Sequence, residues 1–415
     1  MRKKILKRNS RKKIKKENIN INDIKKENII SLKQNIKENI TDNRQQGKKI
    51  YKIWDIIITV FLAIIANAND WDDIVVFATE NYTFLRKYLK MTGGIPCAKT
   101  YERVISSLNK EELESICLTF LFDVIKLKKK KMRDIINIDG KTDNGSARNV
   151  LNDNNEIEKI KSLNVLNAYS NQYGVCIASE MIENKTNEIT AFPIIIKRFN
   201  IRNKIITVDA LNSQKDNCKL IIKARGDYVM ALKGNQGNFY KDVVDYFDDK
   251  KLKELAKNSN NYLKTTEKRG SEIITYEYYQ TTDIDWYFDK KSWKGLKSIG
   301  LVKKTFDNPY EKKEPEYRYY FSSLDLNISL FSNAIRSHWS IENKLHFYLD
   351  MTFRQDDNTT VDKEALFGLQ IIKKMGLALL QPIKEKKKKS MNKLRLEISY
   401  DVERKMTEIF NFYAK

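Results

Sequence analysis

The chain has 415 residues, 41% of them apolar and 11% aromatic, which is enough to bury a real core and excludes wholesale disorder. Its 77 Lys and Arg against 54 Asp and Glu leave a formal net charge of +23, a surplus that favours a polyanionic partner. Four widely separated cysteines, Cys97, Cys117, Cys176 and Cys218, have neither paired metal-ligand spacing nor a disulfide framework, and they suit a reducing cytoplasm.

Residues 1–50 hold 17 Lys and Arg against 5 Asp and Glu and read as a basic flexible arm, with no sustained apolar stripe. From 51 to 130 the pattern is helical: 53–66 is strongly apolar, 71–88 is amphipathic and 110–125 alternates at helical spacing, with Gly93, Gly94 and Pro96 marking a loop. The stretch 53–68 contains Asp55 and is shorter than the roughly 20 residues a span requires, so it predicts a buried helix and no membrane partner. The run Lys128 to Lys131 punctuates a boundary.

The period then changes to strands at 135–138, 162–169 and 173–181. A helix at 191–199, a strand at 205–208, a helix at 215–224 and a strand at 227–232 follow. That order, β-β-β-α-β-α-β, predicts a mixed α/β sheet whose late, short apolar strands are buried on both faces. Residues 234–333 leave the alternation and read as an inserted, mainly β subdomain, with strands at 273–280, 296–303 and 317–322. Helical patterning returns at 334–355 and 363–380, before a basic C-terminal tail over 381–415.

Two carboxylates occupy chemically useful places. Asp139 closes the apolar run 135–138 and is followed by Gly140, so its carboxylate emerges at a strand end where backbone can approach a ligand. Asp209 repeats the device after 205–208, although Asp after a strand is also a common turn former. The segment from Arg336 to Asp350 has helical spacing, with Trp339, Ile341, Leu345 and Leu349 available for packing and Glu342 and His346 on one face. Both histidines of the chain, His338 and His346, fall inside it. Lys141, Lys233 and Arg336 are candidates to neutralise phosphates, Trp339 to pack or stack on a base, and Asn235 and Gln236 to contact DNA or form a turn.

Several blocks in shared order carry a resemblance. They are Ile95-Pro-Cys-Ala-Lys-Thr-Tyr-Glu-Arg103, Ile138-Asp-Gly-Lys-Thr142, Lys185-Thr-Asn-Glu-Ile-Thr190, Val208-Asp-Ala-Leu211 with Gln214-Lys215, Asp227-Tyr-Val-Met-Ala-Leu-Lys-Gly-Asn-Gln236, and His338-Trp339 through Asp350. Over 54–380 the chain resembles the DDE insertion-sequence transposases, and within them the H-repeat-associated, ISAs-like group. The resemblance implies a ribonuclease-H-like core in two parts, 131–233 and 334–380, behind a DNA-associated helical domain at 51–130. It implies that Asp139, Asp209 and Glu342 form a catalytic triad holding two Mg²⁺ or Mn²⁺ ions, an oxygen donor set that suits those cations. It further implies duplex DNA as partner, both the element's terminal inverted repeats and the target, and a dimer in the DNA complex. His338 and His346 belong to the same DNA-facing block, with His346 supporting Glu342.

The chain departs from the family at Asp143 and Asn144, where relatives usually carry Leu-Arg, and at Gln355, where Phe-Arg-Glu-Asp is usual. The first change is expected to remove a phosphate-binding cation and to bring an anion near the metals. Asp350 and Asp356 are the alternatives should Glu342 point away. Two other readings stand beside the transposase: a DNA-binding protein without catalysis, and a nuclease on the same fold.

Overall fold

The computed structural model describes residues 21–45, 47, 49–125, 133–151, 157–182, 188–308, 310 and 312–414. The first part of the basic arm, the run at 128–131 and the start of the block at 185–190 lie outside the described residues.

Eleven strands occur among the described residues: β1 Ile135–Asp143, β2 Arg148–Leu151, β3 Ile157–Ile160, β4 Leu163–Ser170, β5 Val175–Ile182, β6 Ile205–Val208, β7 Asp227–Leu232, β8 Tyr262–Arg269, β9 Glu272–Thr281, β10 Ser298–Asp307 and β11 Glu316–Ser322. Nine of them form one mixed sheet in the order β5-β4-β1-β6-β7-β11-β10-β9-β8, while β2 and β3 pair apart. β1, β6 and β7 run parallel, and β4 and β5 are antiparallel to their neighbours. Five strands in this arrangement, with helices Glu188–Lys197 and Lys215–Lys223 on the connections, are the mixed α/β core expected from the sequence.

Burial on both faces explains the mainly apolar runs at 135–138 and 205–208, in which the buried Asn137 and Thr207 are the polar exceptions. Ile136, Ile138, Ile206 and Val208 pack under the helices Glu188–Lys197 and Lys215–Lys223. Ile135 and Ile205 face the opposite way, against Phe331 and Ile335 of the helix Ile328–Ile341. The segment 234–333 continues this same sheet, because β11 pairs antiparallel with β7. The edge strand β8 escaped the sequence reading because Lys264, Thr266 and Lys268 interrupt its apolar character, as an unpaired edge favours.

A large helical core lies beside β4 and β5 and draws on both ends of the chain. Helices Ile53–Ile65, Ala98–Ser106 and Lys110–Ile125 surround the long helix Lys363–Lys387. That helix is the one described helix long and apolar enough to cross a membrane, and 89% of its apolar window is buried inside the protein. Two features differ from the sequence reading. Ile21–Asn39 is a helix whose Ile29, Leu32 and Ile36, with Ile40 just beyond it, form a buried stripe, so this half of the expected flexible arm belongs to the core. The stripe was hidden among Lys and Asn. Likewise, the basic tail contains helices Met391–Tyr400 and Val402–Ala414, with Met391, Leu394, Ile398, Met406 and Phe410 buried.

Candidate active site

Parallel pairing of β1 with β6 aligns Ile138 with Val208, so Asp139 and Asp209 follow side by side. β6 ends at Val208, whereas β1 runs on through Asp139 to Asp143, so Asp139 lies within its strand and not at the strand end expected from the sequence. The third carboxylate arrives from the opposite layer. A buried polar chain fixes that approach: Asn137 donates from its amide to the Ser337 carbonyl, Thr207 Oγ1 lies 2.9 Å from Asn137 Oδ1, and the same hydroxyl lies 2.9 Å from His338 Nδ1. These contacts set the register of the helix Ile328–Ile341 over β1 and β6. The helix then widens into a π-helical turn, Glu342–His346, before continuing as Phe347–Met351. Such turns break the regular ladder and recur at functional sites.

The consequence is electrostatic. Asp139 is pushed up to about 7, chiefly by burial and then by the negative charges of Asp209, Glu342 and Glu188. His346 Nδ1 stands 3.6 Å from Asp139 Oδ2. Its Nε2 faces the Asn167 amide at 3.4 Å, and Asn167 is itself oriented by Lys374 Nζ, 2.6 Å from its Oδ1. That chain favours the tautomer with the proton on Nδ1, directed at Asp139. Burial holds His346 down to about 3 and His338 down to about 4, so both rings are neutral at physiological pH. Among the described residues, no three His, Cys, Asp or Glu side chains are closed into a tight ligand set.

Beside Asp209 and Glu342 opens a cleft of about 520 Å³, lined also by Lys233, Tyr319, Trp339, Glu316 and Arg318, the last two paired at 3.1 Å. Residues 130–378 match the family model described as "Transposase DDE domain", and residues 36–121 match the one described as "DDE_Tnp_1-associated". The chain belongs to the DDE transposase family. It is 32% identical to "Putative transposase YncI" of Escherichia coli O157:H7 over 87% of this chain and 91% of that one. It is 35% identical to "H repeat-associated putative transposase YhhI" of Escherichia coli (strain K12), over 77% and 82%. A shorter likeness, 37% over 16% of this chain and 77% of the relative, is to "Inactive transposase YbfQ" of the same strain.

Within this transposase domain the other sequence candidates fall into two groups. Lys233 is exposed on the cleft, and Trp339 lies between Tyr276, 5.8 Å away, and the Arg318 guanidinium, 5.2 Å from its ring. His338 reaches the cleft as well. The rest are committed elsewhere. The Lys141 amine is buried against Asp350 at 2.6 Å, with Asp356 at 3.5 Å, so it does not face the cleft, and both reserve carboxylates are engaged there. Arg336 pairs with Glu267 across the helix–sheet contact. Asn235 and Gln236 donate to the Ala210 carbonyl at 2.7 and 2.8 Å, bracing the loop that follows Asp209.

The departures from the family meet one another. Asp143 is buried and accepts from Gln355 Nε2 at 2.5 Å and from Gln370, while the Asn144 amide donates to Asp356 at 3.1 Å. The expected anion near the metals is therefore turned into the helical core, where burial lifts it to about 6. Two residues that pack against these carboxylates were not singled out by the sequence, Glu188 and Asn212. Glu188 sat inside a block noted for resemblance alone. The glycine at 140 was the available signal, since something had to occupy the space its missing side chain leaves.

Proposed function

We propose that this chain is the DNA transposase of an insertion sequence, cleaving phosphodiesters at the element's ends and joining the freed strands to target DNA. The observation that carries the reading is the alignment of Asp139 with Asp209 by the pairing of β1 and β6, with Asp209 and Glu342, from elements far apart in sequence, lining one cleft with Lys233 and Arg318. Asp139, Asp209 and Glu342 would hold Mg²⁺ or Mn²⁺, and the donor set fits: all oxygen, with mutual repulsion that a cation relieves. Bound there, a pair of such ions supplies activation of the attacking hydroxyl and charge stabilisation of the leaving oxygen.

The side chains do the remaining work. His346 packs beside Asp139, with Nδ1 facing Oδ2 at 3.6 Å. Asn235 and Gln236 hold the loop beyond Asp209. Lys233 and Arg318 attract the phosphate backbone into the cleft, and Tyr319 and Trp339 give it an aromatic wall. The decisive experiment incubates the protein with DNA bearing the element's own ends, with Mg²⁺ or Mn²⁺, and follows cutting and joining separately. Cutting and joining together support a transposase, cutting without joining a nuclease, and binding without cutting a non-catalytic relative.

Duplex binding rests on phosphate contacts, so affinity falls steeply as salt rises. The double variant Lys233→Ala, Arg318→Ala is expected to weaken binding and lower the salt slope by about 1–2. An unchanged slope in a filter-binding titration would remove the cleft from the DNA path. The arm is best tested by deleting residues 1–20 only, because Ile29, Leu32 and Ile36 are core residues.

A stability prediction follows from Asp139, whose folded value of about 7 lies above the ordinary 3.8. A raised carboxyl contributes stability below its unfolded value and loses it as pH rises through the folded one. In EDTA, Asp139→Asn is thus expected to melt several degrees above wild type at pH 8 and level with it at pH 4. An equal difference at both pH values would contradict the electrostatic account.

A further inference from the structure

Glu188 is the first residue of the helix Glu188–Lys197, and its side chain is buried. Its carboxylate lies directly on Gly140, where an added Cβ would come within 2.3 Å of Oε1. The residue next to Asp139 is thereby obliged to lack a side chain. On its other side, the Asn212 amide nitrogen sits 3.2 Å from Glu188 Oε2 and 3.3 Å from Asp209 Oδ1. The Asn212 backbone nitrogen adds a second contact to that Asp209 oxygen, at 3.2 Å. One buried amide therefore clasps two carboxylates that belong to different elements.

Asn212 is fully buried, yet its Oδ1 has no hydrogen-bond partner among the described residues. A buried amide oxygen without a donor costs on the order of 1–3 kcal/mol. The amide nitrogen is committed to the two carboxylates, so this oxygen is left for a donor or a hydrated cation that the described side chains do not supply.

We propose that Glu188 is a fourth carboxylate of the cation site, lending its charge to hold divalent ions beside Asp139, Asp209 and Glu342, with Asn212 positioning it. The proposal rests on the reading of those three residues as metal-holding. Four carboxylates balance two divalent cations in the free protein, before any DNA phosphate arrives. Glycine at 140 and asparagine at 212 are the residues that let the fourth come close.

The test is Mn²⁺ binding by the full-length, DNA-free protein, read as free Mn²⁺ by electron paramagnetic resonance, with thermal unfolding as the check on folding. Glu188→Gln, which keeps size and can still accept from Asn212, is expected to weaken Mn²⁺ binding about tenfold or more. Glu188→Asp, which keeps the charge, is expected to retain more affinity than Glu188→Gln. If Glu188→Gln binds as wild type while Asp139→Asn does not, the fourth carboxylate is overturned and the three-residue site stands. If Asp139→Asn also binds as wild type, the three-residue reading fails and Glu188 falls with it. Should Glu188→Gln not fold, Gly140→Ala takes its place: it leaves every carboxylate in the chain but displaces that of Glu188. Weakened Mn²⁺ binding in that variant supports the proposal, and wild-type binding overturns it.

Discussion

Asp139→Asn, Asp209→Asn and Glu342→Gln are each expected to abolish Mg²⁺- or Mn²⁺-dependent cleavage of end-bearing DNA. Each change keeps the side chain's size and removes one negative charge from a site whose carboxylates already act on one another. Closely spaced dications repel, and carboxylate charge is what holds them together. A loss of roughly 10³-fold or more corresponds to about 4 kcal/mol of barrier, a modest demand for the removal of a charge from a buried site. DNA binding should persist, because on the proposed function it rests on Lys and Arg such as Lys233 and Arg318 on the cleft. His346→Ala should cost less, since His346 only faces Asp139, at 3.6 Å, and removes no carboxylate charge when replaced. The comparison is cleavage at matched protein concentration, with binding measured in parallel. If wild type cuts and one carboxylate variant cuts comparably, that residue is outside the site.

Arg395→Ala is expected to be the most destabilising single change outside the site. The guanidinium is completely buried and donates to the carbonyls of Ile64 at 2.8 Å, Ala68 at 2.9 Å and Thr352 at 2.5 Å, and to Asn69 Oδ1 at 3.1 Å. It also lies 4.2 Å from the Phe353 ring. Ile64 and Ala68 lie at the C-terminal end of the helix Ile53–Ile65, where carbonyls lack helical partners, and Thr352 follows the end of the Glu342-bearing segment. One side chain thus joins the helix Met391–Tyr400 to both. Its removal strands several buried acceptors and opens a cavity, a loss of about 3–5 kcal/mol. Arg395→Lys should fare little better, because one ammonium cannot match the planar five-donor fork. Thermal and urea unfolding would register the change. A variant with wild-type melting would mean that the C-terminal helices are not bound to the core through this residue.

The local pattern sufficed to locate β6, β7 and the first half of β1, because strands buried on both faces are mainly apolar, with Asn137 and Thr207 buried as hydrogen-bond partners of each other; β1 itself runs on from Ile138 to Asp143. It pointed also to Asp139 and Asp209 as candidates, since a charged residue directly after such a run marks where apolar burial stops, although Asp139 lies within β1 and only Asp209 follows a strand end. Glu342 and His346 it placed four apart on one helical segment. The sequence was equally adequate for the family, through blocks spread in order over 54–380.

Tertiary structure decided which polar groups face which. Lys141, two residues from Asp139, belongs to Asp350 and Asp356, and Asp143 belongs to Gln355 and Gln370. No spacing announces that choice, because a buried polar group takes whichever partner the packing delivers. Glu188 and Asn212 were hidden for the same reason: they meet Asp139 and Asp209 only when the helix after β5 and the loop after β6 come together on the folded sheet. The continuation of the core sheet through β11, the buried stripe of Ile21–Asn39 and the burial of Arg395 are likewise long-range outcomes. Periodicity reports which face of an element is apolar, whereas the surface that covers that face is supplied by residues hundreds of positions away.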